Sequence, residues 1–295
     1  LTTISDNFTL KKEIEITLDA NPDDLSKEKL TGFKEIGINR LSIGIQSFVE
    51  RDLIFMNRSH TTNQAIDSVE NAKNLGLNNI SIDLIYGIPN LTEKEWITNI
   101  EKAITLDISH ISCYCLTSEK QTALHHKITK GELALPKDEI TSQQFDILFQ
   151  KLKENGYDQY EISNFCKKDE LSIHNSSYWK QAHYLGVGPS AHSFDGISRQ
   201  WNVANNTLYL KGAKSKEWNF EKENLDANTQ FNEYIMTSLR TSWGIDMQYI
   251  AEHFEPNYLT YLEKEFPTYI NLGQIEQKGN SFILTNSGKL LADRI

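Results

Sequence analysis

The chain has 295 residues, 39% of them hydrophobic, which is enough for one large domain or for one domain with a small appendage. Forty acidic residues against 30 basic ones give a formal net charge of −10. That balance argues against nucleic-acid binding, because a phosphate-binding surface needs clustered Lys and Arg. No apolar run approaches the roughly 18 residues that a membrane span needs. Three cysteines, Cys113, Cys115 and Cys166, are too few for a disulfide framework and favour a reducing, cytoplasmic location.

The first 165 residues alternate predicted strands with predicted helices. Threonines begin two of the helices as capping boxes, and a glycine follows three of them. Helix-length connections predict a parallel sheet, either doubly wound or closed toward a barrel, rather than an antiparallel, half-solvated sheet. We predict strands at 13–20, 40–48, 79–87, 110–117 and 157–165, helices at about 24–37, 49–76 (broken near 58–61), 92–107 and 138–156, capping boxes at Thr61/Gln64 and Thr92/Glu95, and helix-ending glycines at Gly37, Gly76 and Gly156.

The remainder of the chain has a different character. Residues 166–222 are rich in Asn, Ser and Gly, which predicts an irregular connecting segment. The last part is mainly helical and ends in a short β-hairpin followed by a helix. We therefore predict three parts: a βα domain over 1–165, a connecting segment over 166–222, and a small helical, winged-helix-like domain over 223–295.

Four of the five predicted strands carry apolar side chains on one face and polar side chains on the other. Parallel strands that are buried on both faces are usually apolar throughout. A polar inner face is therefore best explained by a barrel whose lumen holds a polar ligand. Asp19, Gln46 and Asp83 lie nearest the carboxyl ends of their strands, where α/β proteins bind ligands.

Seven motifs follow one another along the chain: EITLDANPDDL, GINRLSIGIQSF, MNRSHT, SIDLIYGIPNLT, YEISNF, HNSSYW and YLGVGPSAHSF. In this order they resemble the radical S-adenosylmethionine (SAM) proteins related to oxygen-independent coproporphyrinogen III oxidase, and within them the HemW-type haem chaperones. The resemblance implies an α/β fold, a partial (β/α) barrel of the radical SAM type with a small C-terminal domain. It also implies a 4Fe-4S cluster and bound SAM.

The resemblance assigns SAM binding to Asp19, Gln46, Arg58 and Asp83. Carboxylates suit the ribose hydroxyls or the methionyl ammonium of SAM, and Arg58 suits the methionyl carboxylate as a two-pronged donor. The alternative for Arg58 is a surface ion pair at a helix end. Members of the family usually have Glu in place of Asp19, so the charge is kept while the side chain is one methylene shorter.

The family's cluster motif, C-x3-C-x2-C, is absent from this chain, as is the glycine-rich segment that follows it. Cys113, Cys115 and Cys166 have the wrong spacing for three cluster ligands. The resemblance therefore places the cluster cysteines upstream of Leu1, in which case this chain lacks the first βα unit and does not ligate the cluster. A strand edge exposed in this way favours pairing with a second chain, as a homodimer.

The segment HNSSYW matches the signature that the resemblance links to haem binding. It implies His174 as the axial ligand, Tyr178 and Trp179 as stacking surface, and Asn175 as the group that orients the imidazole. The alternative is a structural loop, in which the rings plug the core and His174 is a hydrogen-bonded anchor. His192 is a second candidate ligand.

Three functions follow from these observations. The first is a carrier that binds haem and passes it to a recipient apoprotein, with SAM and the cluster serving binding or gating. The second is oxidative decarboxylation of coproporphyrinogen III in porphyrin biosynthesis, which needs basic partners for the propionates. The third is an α/β barrel with another small polar ligand. HNSSYW favours the carrier, and no residue is assigned a catalytic role.

Overall fold

The computed structural model describes residues 1–295, which form two compact units. Unit 1 is Leu1–Ile173 and unit 2 is His174–Ile295. Neither unit has a helix that is both long enough and apolar enough to cross a membrane.

Unit 1 is built on a single six-stranded sheet. Its strands are β1 (Thr17–Ala20), β2 (Arg40–Gln46), β3 (Ile80–Tyr86), β4 (His110–Cys115), β5 (Tyr157–Glu161) and β6 (Asn164–Lys167). The strand order is β1-β2-β3-β4-β6-β5, with β1 to β4 parallel. Its helices are α1 (Thr2–Asn7), a 3-10 turn (Pro22–Asp24), α2 (Lys27–Glu35), α3 (Glu50–Phe55), α4 (Thr62–Asn74), α5 (Glu93–Thr105), α6 (Ala123–Thr129) and α7 (Asp138–Glu154).

The predicted strand at 157–165 is wrong, because these residues form a hairpin. Strands β5 and β6 pair antiparallel with each other, and β6 pairs antiparallel with β4. The Glu161 carboxylate closes the turn by accepting hydrogen bonds from the backbone N–H of Ser163 at 3.0 Å and from Asn164 Nδ2 at 2.5 Å. The alternating pattern runs through this turn without a break, so periodicity alone does not reveal the reversal.

The core of unit 1 lies between the apolar face of the sheet and the helices. Both predicted capping boxes are confirmed, at the starts of α4 and α5. The three predicted helix-ending glycines have positive φ, as a left-handed cap requires. The fully buried residues on the central strands are Leu41, Ile43, Ile45, Ile80, Ile82 and Leu84.

Unit 2 carries two small sheets, each of three strands. Helix α8 (Ile173–Trp179) begins at the boundary between the units. One sheet contains β7 (His192–Phe194), β8 (Ser198–Asn202) and β9 (Phe220–Asn224), with α9 (Asn206–Ser215) between β8 and β9. The rest comprises α10 (Ala227–Leu239), β10 (Ile245–Asp246), α11 (Met247–His253), α12 (Pro256–Asn271), β11 (Ile275–Lys278), β12 (Ser281–Leu284) and α13 (Asn286–Lys289).

The prediction of an irregular segment over 166–222 is wrong. The segment contains β6, two helices and a three-stranded antiparallel sheet. Strands of three to five residues are too short to show a clear alternation, so the loop-forming composition hides them. HNSSYW likewise lies in helix α8 rather than on a loop. The predicted C-terminal hairpin and following helix are confirmed as β11, β12 and α13.

Candidate functional site

The polar face of the unit 1 sheet carries a buried hydrogen-bond network centred on His110. Its Nδ1 lies 2.7 Å from Ser81 Oγ, and its Nε2 lies 2.8 Å from Tyr160 Oη. Burial, assisted by the nearby positive charge of Arg40, lowers the pKa of His110 to about 3. The imidazole is therefore neutral at physiological pH and joins two hydroxyls across three strands. Sequence reasoning missed this histidine, which begins β4 and has no motif around it.

Arg58 and Gln46 converge on Gly44 at the carboxyl end of β2. Arg58 Nη2 donates to Asn21 Oδ1 at 2.5 Å and to the Gly44 carbonyl at 3.0 Å. A Cβ added to Gly44 would lie 2.8 Å from Gln46 Nε2 and 3.3 Å from Arg58 Nη2, so a larger residue here would displace the ends of both side chains. Gln46 itself has φ 68° where the register of β2 against β3 shifts. Neither oxygen that Arg58 contacts is charged, so the surface ion pair considered as an alternative does not form.

Asp83 on β3 lies close to the same group of side chains. Burial raises its pKa to about 6, while a hydrogen bond with Ser112 lowers it. The Asp19 carboxylate raises it further, and the charges of Arg40 and Arg58 lower it. The structure thus brings all four predicted SAM residues to one end of the parallel strands: Asp19, Gln46, Arg58 and Asp83.

This set of side chains fits SAM. Two carboxylates can accept hydrogen bonds from an ammonium or from ribose hydroxyls, and the guanidinium can donate to a carboxylate. A ligand with both charges also suits a site in which Asp19, Asp83 and Arg58 lie within electrostatic reach of one another. Asn21, which accepts from Arg58, was missed by sequence reasoning although it follows Asp19 by two residues in the LDANP motif.

The three cysteines do not form a cluster site. Cys113 on β4 and Cys166 on β6 are buried, whereas Cys115 is exposed near the end of β4. Burial raises the pKa of all three thiols, which disfavours the thiolate that an iron–sulfur cluster requires. No group of three or more His, Cys, Asp or Glu residues within 1–295 is arranged to hold a metal ion.

Helix α8 places the four predicted haem residues in two adjacent rows. His174 and Tyr178 are one helical turn apart on an exposed face, and their rings meet edge to face at 5.0 Å. Asn175 and Trp179 form the next row and are half-buried. Tyr178 continues edge to face onto Tyr184 at 5.0 Å, so an aromatic wall extends beyond the helix.

A cavity of about 160 Å³ lies beside this wall within unit 2. Trp179 lines the cavity, and its Nε1–H is buried without an acceptor. The Arg240 guanidinium lies 5.3 Å over the indole ring of Trp179. The other lining residues are Tyr178, Gln181, Ala182, Tyr184, Phe194, Arg199, Glu233 and Thr237.

His192, the second candidate ligand, lies elsewhere, on β7. It is exposed and stacks on Trp201 with ring centroids 6.0 Å apart. An aromatic wall, an exposed imidazole and an unsatisfied buried donor occur together only around α8 among the candidates that the sequence suggested. The chemistry there fits a flat macrocycle with a metal centre and polar substituents.

Comparison with known proteins agrees with this description. The Radical SAM superfamily model matches residues 3–103, and the HemN C-terminal domain model matches residues 225–291. The solved structure of coproporphyrinogen III oxidase (HemN) from Escherichia coli has a TM-score of 0.80, covering 99% of this chain and 71% of that one. At 20% identity, this likeness shows the fold alone. The fold and the site define a radical SAM protein with a HemN-type C-terminal domain.

Two curated relatives narrow this class. The heme chaperone HemW of Bacillus subtilis is 35% identical over 286 residues, which cover 95% of this chain and 74% of the relative. The heme chaperone HemW of Lactococcus lactis is 33% identical over 264 residues, which cover 90% and 68%. The chain belongs to the HemW family of haem chaperones.

Proposed function

We propose that this protein binds haem on helix α8 and delivers it to a recipient apoprotein, while unit 1 holds SAM. The observation that carries the proposal is the exposed row of His174 and Tyr178, in a helix that contains the HNSSYW motif. Membership of the HemW family supports it, because the relatives are named as haem chaperones.

His174 is the axial ligand in this proposal. An imidazole on an exposed helix face can reach the iron without a deep pocket around the macrocycle. The Tyr178 ring, edge-on to His174 at 5.0 Å, offers apolar area to one side of the porphyrin. Asn175 lies one helical turn before Trp179 in the adjacent row, and its amide orients the His174 imidazole.

The exposure of this face suits transfer as well as binding. A haem that is buried on all sides would have to leave a closed pocket before a recipient could ligate its iron. A haem on the α8 face leaves its other axial position open to a ligand from the recipient protein. We infer that the carrier presents haem rather than enclosing it.

The radical SAM part of the proposal rests on the residues at the strand ends of unit 1. Asp19 and Asp83 hold the ammonium or ribose hydroxyls of SAM, Arg58 holds its carboxylate, and Gln46 adds an amide. The superfamily also implies a 4Fe-4S cluster, whose role when bound is to supply an electron to SAM. We place the protein in the cytoplasm, in keeping with three free thiols, and a homodimer stays a prediction.

Coproporphyrinogen oxidation receives less support. The HemN structure is 20% identical, so it supports the fold and not the activity. Of the basic residues near α8, Lys180 lies 5.5 Å over the Trp243 ring, and Arg199 donates to Glu233 at 2.8 Å. Arg240 lies over Trp179 and pairs with Asp293 at 3.8 Å. Partly engaged cations of this kind can hold one carboxylate, whereas coproporphyrinogen carries four.

Titration of the chain with haem, followed by the shift of the Soret band, tests the proposal. We expect saturation near one haem per chain and an affinity about 10- to 100-fold lower in His174→Ala, since an axial bond is lost. His126→Ala removes an exposed histidine from α6 and is the matched control. His192→Ala tests the second candidate and is expected to bind as the wild type does.

Circular dichroism of each variant shows whether the fold is retained. Wild-type affinity in folded His174→Ala would contradict the ligand assignment. If the loss appears instead in His192→Ala, the haem lies at β7 and the assignment to α8 is wrong.

A further inference from the structure

The cavity beside α8 is too small for a porphyrin. Its volume is about 160 Å³, whereas pockets that hold drug-sized molecules measure about 300–1,000 Å³. A short polar arm of a larger ligand fits such a space. Tyr178 both lines the cavity and stands beside His174 on the exposed face, so the cavity opens next to the proposed haem surface.

Trp179 supplies a donor that lacks a partner. The indole Nε1–H can only donate, and a buried donor without an acceptor is costly, so such groups are rare in folded proteins. The Nε1–H of Trp179 is buried and has no acceptor. The Arg240 guanidinium over the ring adds positive charge to its surroundings. Arg240 also pairs with the exposed carboxylate of Asp293 at 3.8 Å, so the unpartnered indole donor is the stronger reason to expect an anionic acceptor beside Trp179.

Arg199 supplies a second donor to the same cavity. Its Nη2 donates to Glu233 Oε2 at 2.8 Å, and its side chain is 32% exposed. A guanidinium has five N–H donors, so one carboxylate partner leaves capacity for another. Glu233 also lines the cavity and would repel a second carboxylate placed there.

We propose that this cavity receives a propionate carboxylate of haem, held by the Trp179 Nε1–H and by Arg199. The inference rests on the proposed function, because it takes haem on the α8 face as given and assigns the position of one side arm. Glu233 opposes the propionate and keeps the hold weak. A weak hold suits a carrier, which has to release its cargo.

Haem and its dimethyl ester, titrated under the same detergent conditions, test the inference. The ester keeps the iron and the macrocycle but has no carboxylate. We expect Trp179→Phe and Arg199→Gln to weaken haem binding by about 5- to 10-fold and to leave ester binding unchanged, since each removes one charge-assisted hydrogen bond. The ester thus controls for any loss of packing around the shortened side chain.

Glu233→Gln provides a test in the opposite direction. The amide oxygen can still accept from Arg199, but the negative charge is gone. We expect haem to bind about 3- to 10-fold more tightly in this variant, with no change for the ester. If the Arg199–Glu233 pair has only a structural role, Glu233→Gln will bind haem as the wild type does or more weakly, and this result would contradict the inference.

The outcomes separate this inference from the proposed function. His174→Ala should weaken haem and its ester alike, because the axial bond does not depend on the propionates. If haem binds but Trp179→Phe and Arg199→Gln affect haem and ester equally, the propionate assignment is overturned and the haem proposal stands. If the wild type binds neither ligand, both are wrong.

Discussion

The two proposed ligand-binding regions of this protein are built on different kinds of backbone. In unit 1, Gln46 and Asp83 lie on strands of a continuous sheet, whose register fixes the direction of every side chain. In unit 2, His174 and Tyr178 lie on a helix of seven residues. The sheet therefore positions the proposed SAM site, whereas the proposed haem face depends on side-chain contacts around one short helix.

The proposed SAM residues are on the whole less exposed than the proposed haem residues. In unit 1, Gln46, Arg58 and Asp83 are half-buried and Asp19 is exposed, whereas both His174 and Tyr178 in unit 2 are exposed. A half-buried polar site on a rigid sheet suits a small cofactor that is held tightly. An exposed face suits a ligand that is handed on. Variants in unit 1 should therefore change SAM affinity, and variants in unit 2 should change haem affinity.

The largest effect that we expect in unit 1 is that of Arg58→Ala on SAM affinity. The change removes the guanidinium that contacts Asn21 and the Gly44 carbonyl, and with it the partner for the methionyl carboxylate. We expect SAM to bind about 30- to 100-fold more weakly, as is typical for loss of a charged hydrogen-bond donor. Isothermal titration calorimetry with SAM measures this directly.

Arg51→Ala is the matched control for that experiment. Arg51 is an exposed arginine of the same unit that pairs with Glu95 and with the buried Asp52, each at 3.1 Å, and it is not among the proposed SAM residues. Equal SAM affinities in the two variants would contradict the assignment of Arg58. Haem affinity, measured on the same samples, should equal that of the wild type, because neither variant changes a proposed haem residue.

A smaller effect is expected for Asp83→Asn, which should raise the stability of the fold and lower its affinity for SAM. The pKa of Asp83 is raised to about 6 in the fold, so the folded state holds the proton more tightly than the unfolded chain does. Wild-type stability therefore falls as pH rises from about 4 through 6. The amide avoids this loss, and we expect Asp83→Asn to be more stable at pH 8 by about 1–3 kcal/mol.

Urea unfolding at pH 8 and at pH 4 measures that difference, which should nearly vanish at the lower pH. SAM affinity should fall about 10-fold in the same variant, because a carboxylate acceptor is lost. A variant that is more stable and yet binds less well would mark Asp83 as a residue kept for its ligand. Unchanged stability at pH 8 together with wild-type SAM affinity would contradict both statements.

The sequence predicted the overall fold of unit 1 better than it predicted individual turns and buried contacts. Period-two alternation on β2 and β3 predicted which side chains share the polar face, because a sheet imposes that alternation physically. It did not reveal the reversal at Glu161, where a side-chain carboxylate rather than a glycine closes the turn. His110 was missed for a similar reason, since its role comes from partners on other strands.

In unit 2 the residues of the haem motif were found, but their backbone was not. HNSSYW has few strong helix formers, and its helical state depends on tertiary contacts that no local pattern encodes. The sequence also cannot show that the buried Nε1–H of Trp179 has no acceptor, because this depends on the atoms around it in the folded protein. Motif resemblance suggested the haem residues, and the structure shows how those residues are arranged.

The most direct test of the central claim is imidazole rescue of His174→Gly, with resonance Raman spectra recorded on haem that co-elutes with the chain. We predict an iron–imidazole band in the wild type, its loss in the variant, and its return when free imidazole enters the space left by the side chain. A folded His174→Gly that keeps the wild-type band without added imidazole would show that another residue ligates the iron, and would contradict the account.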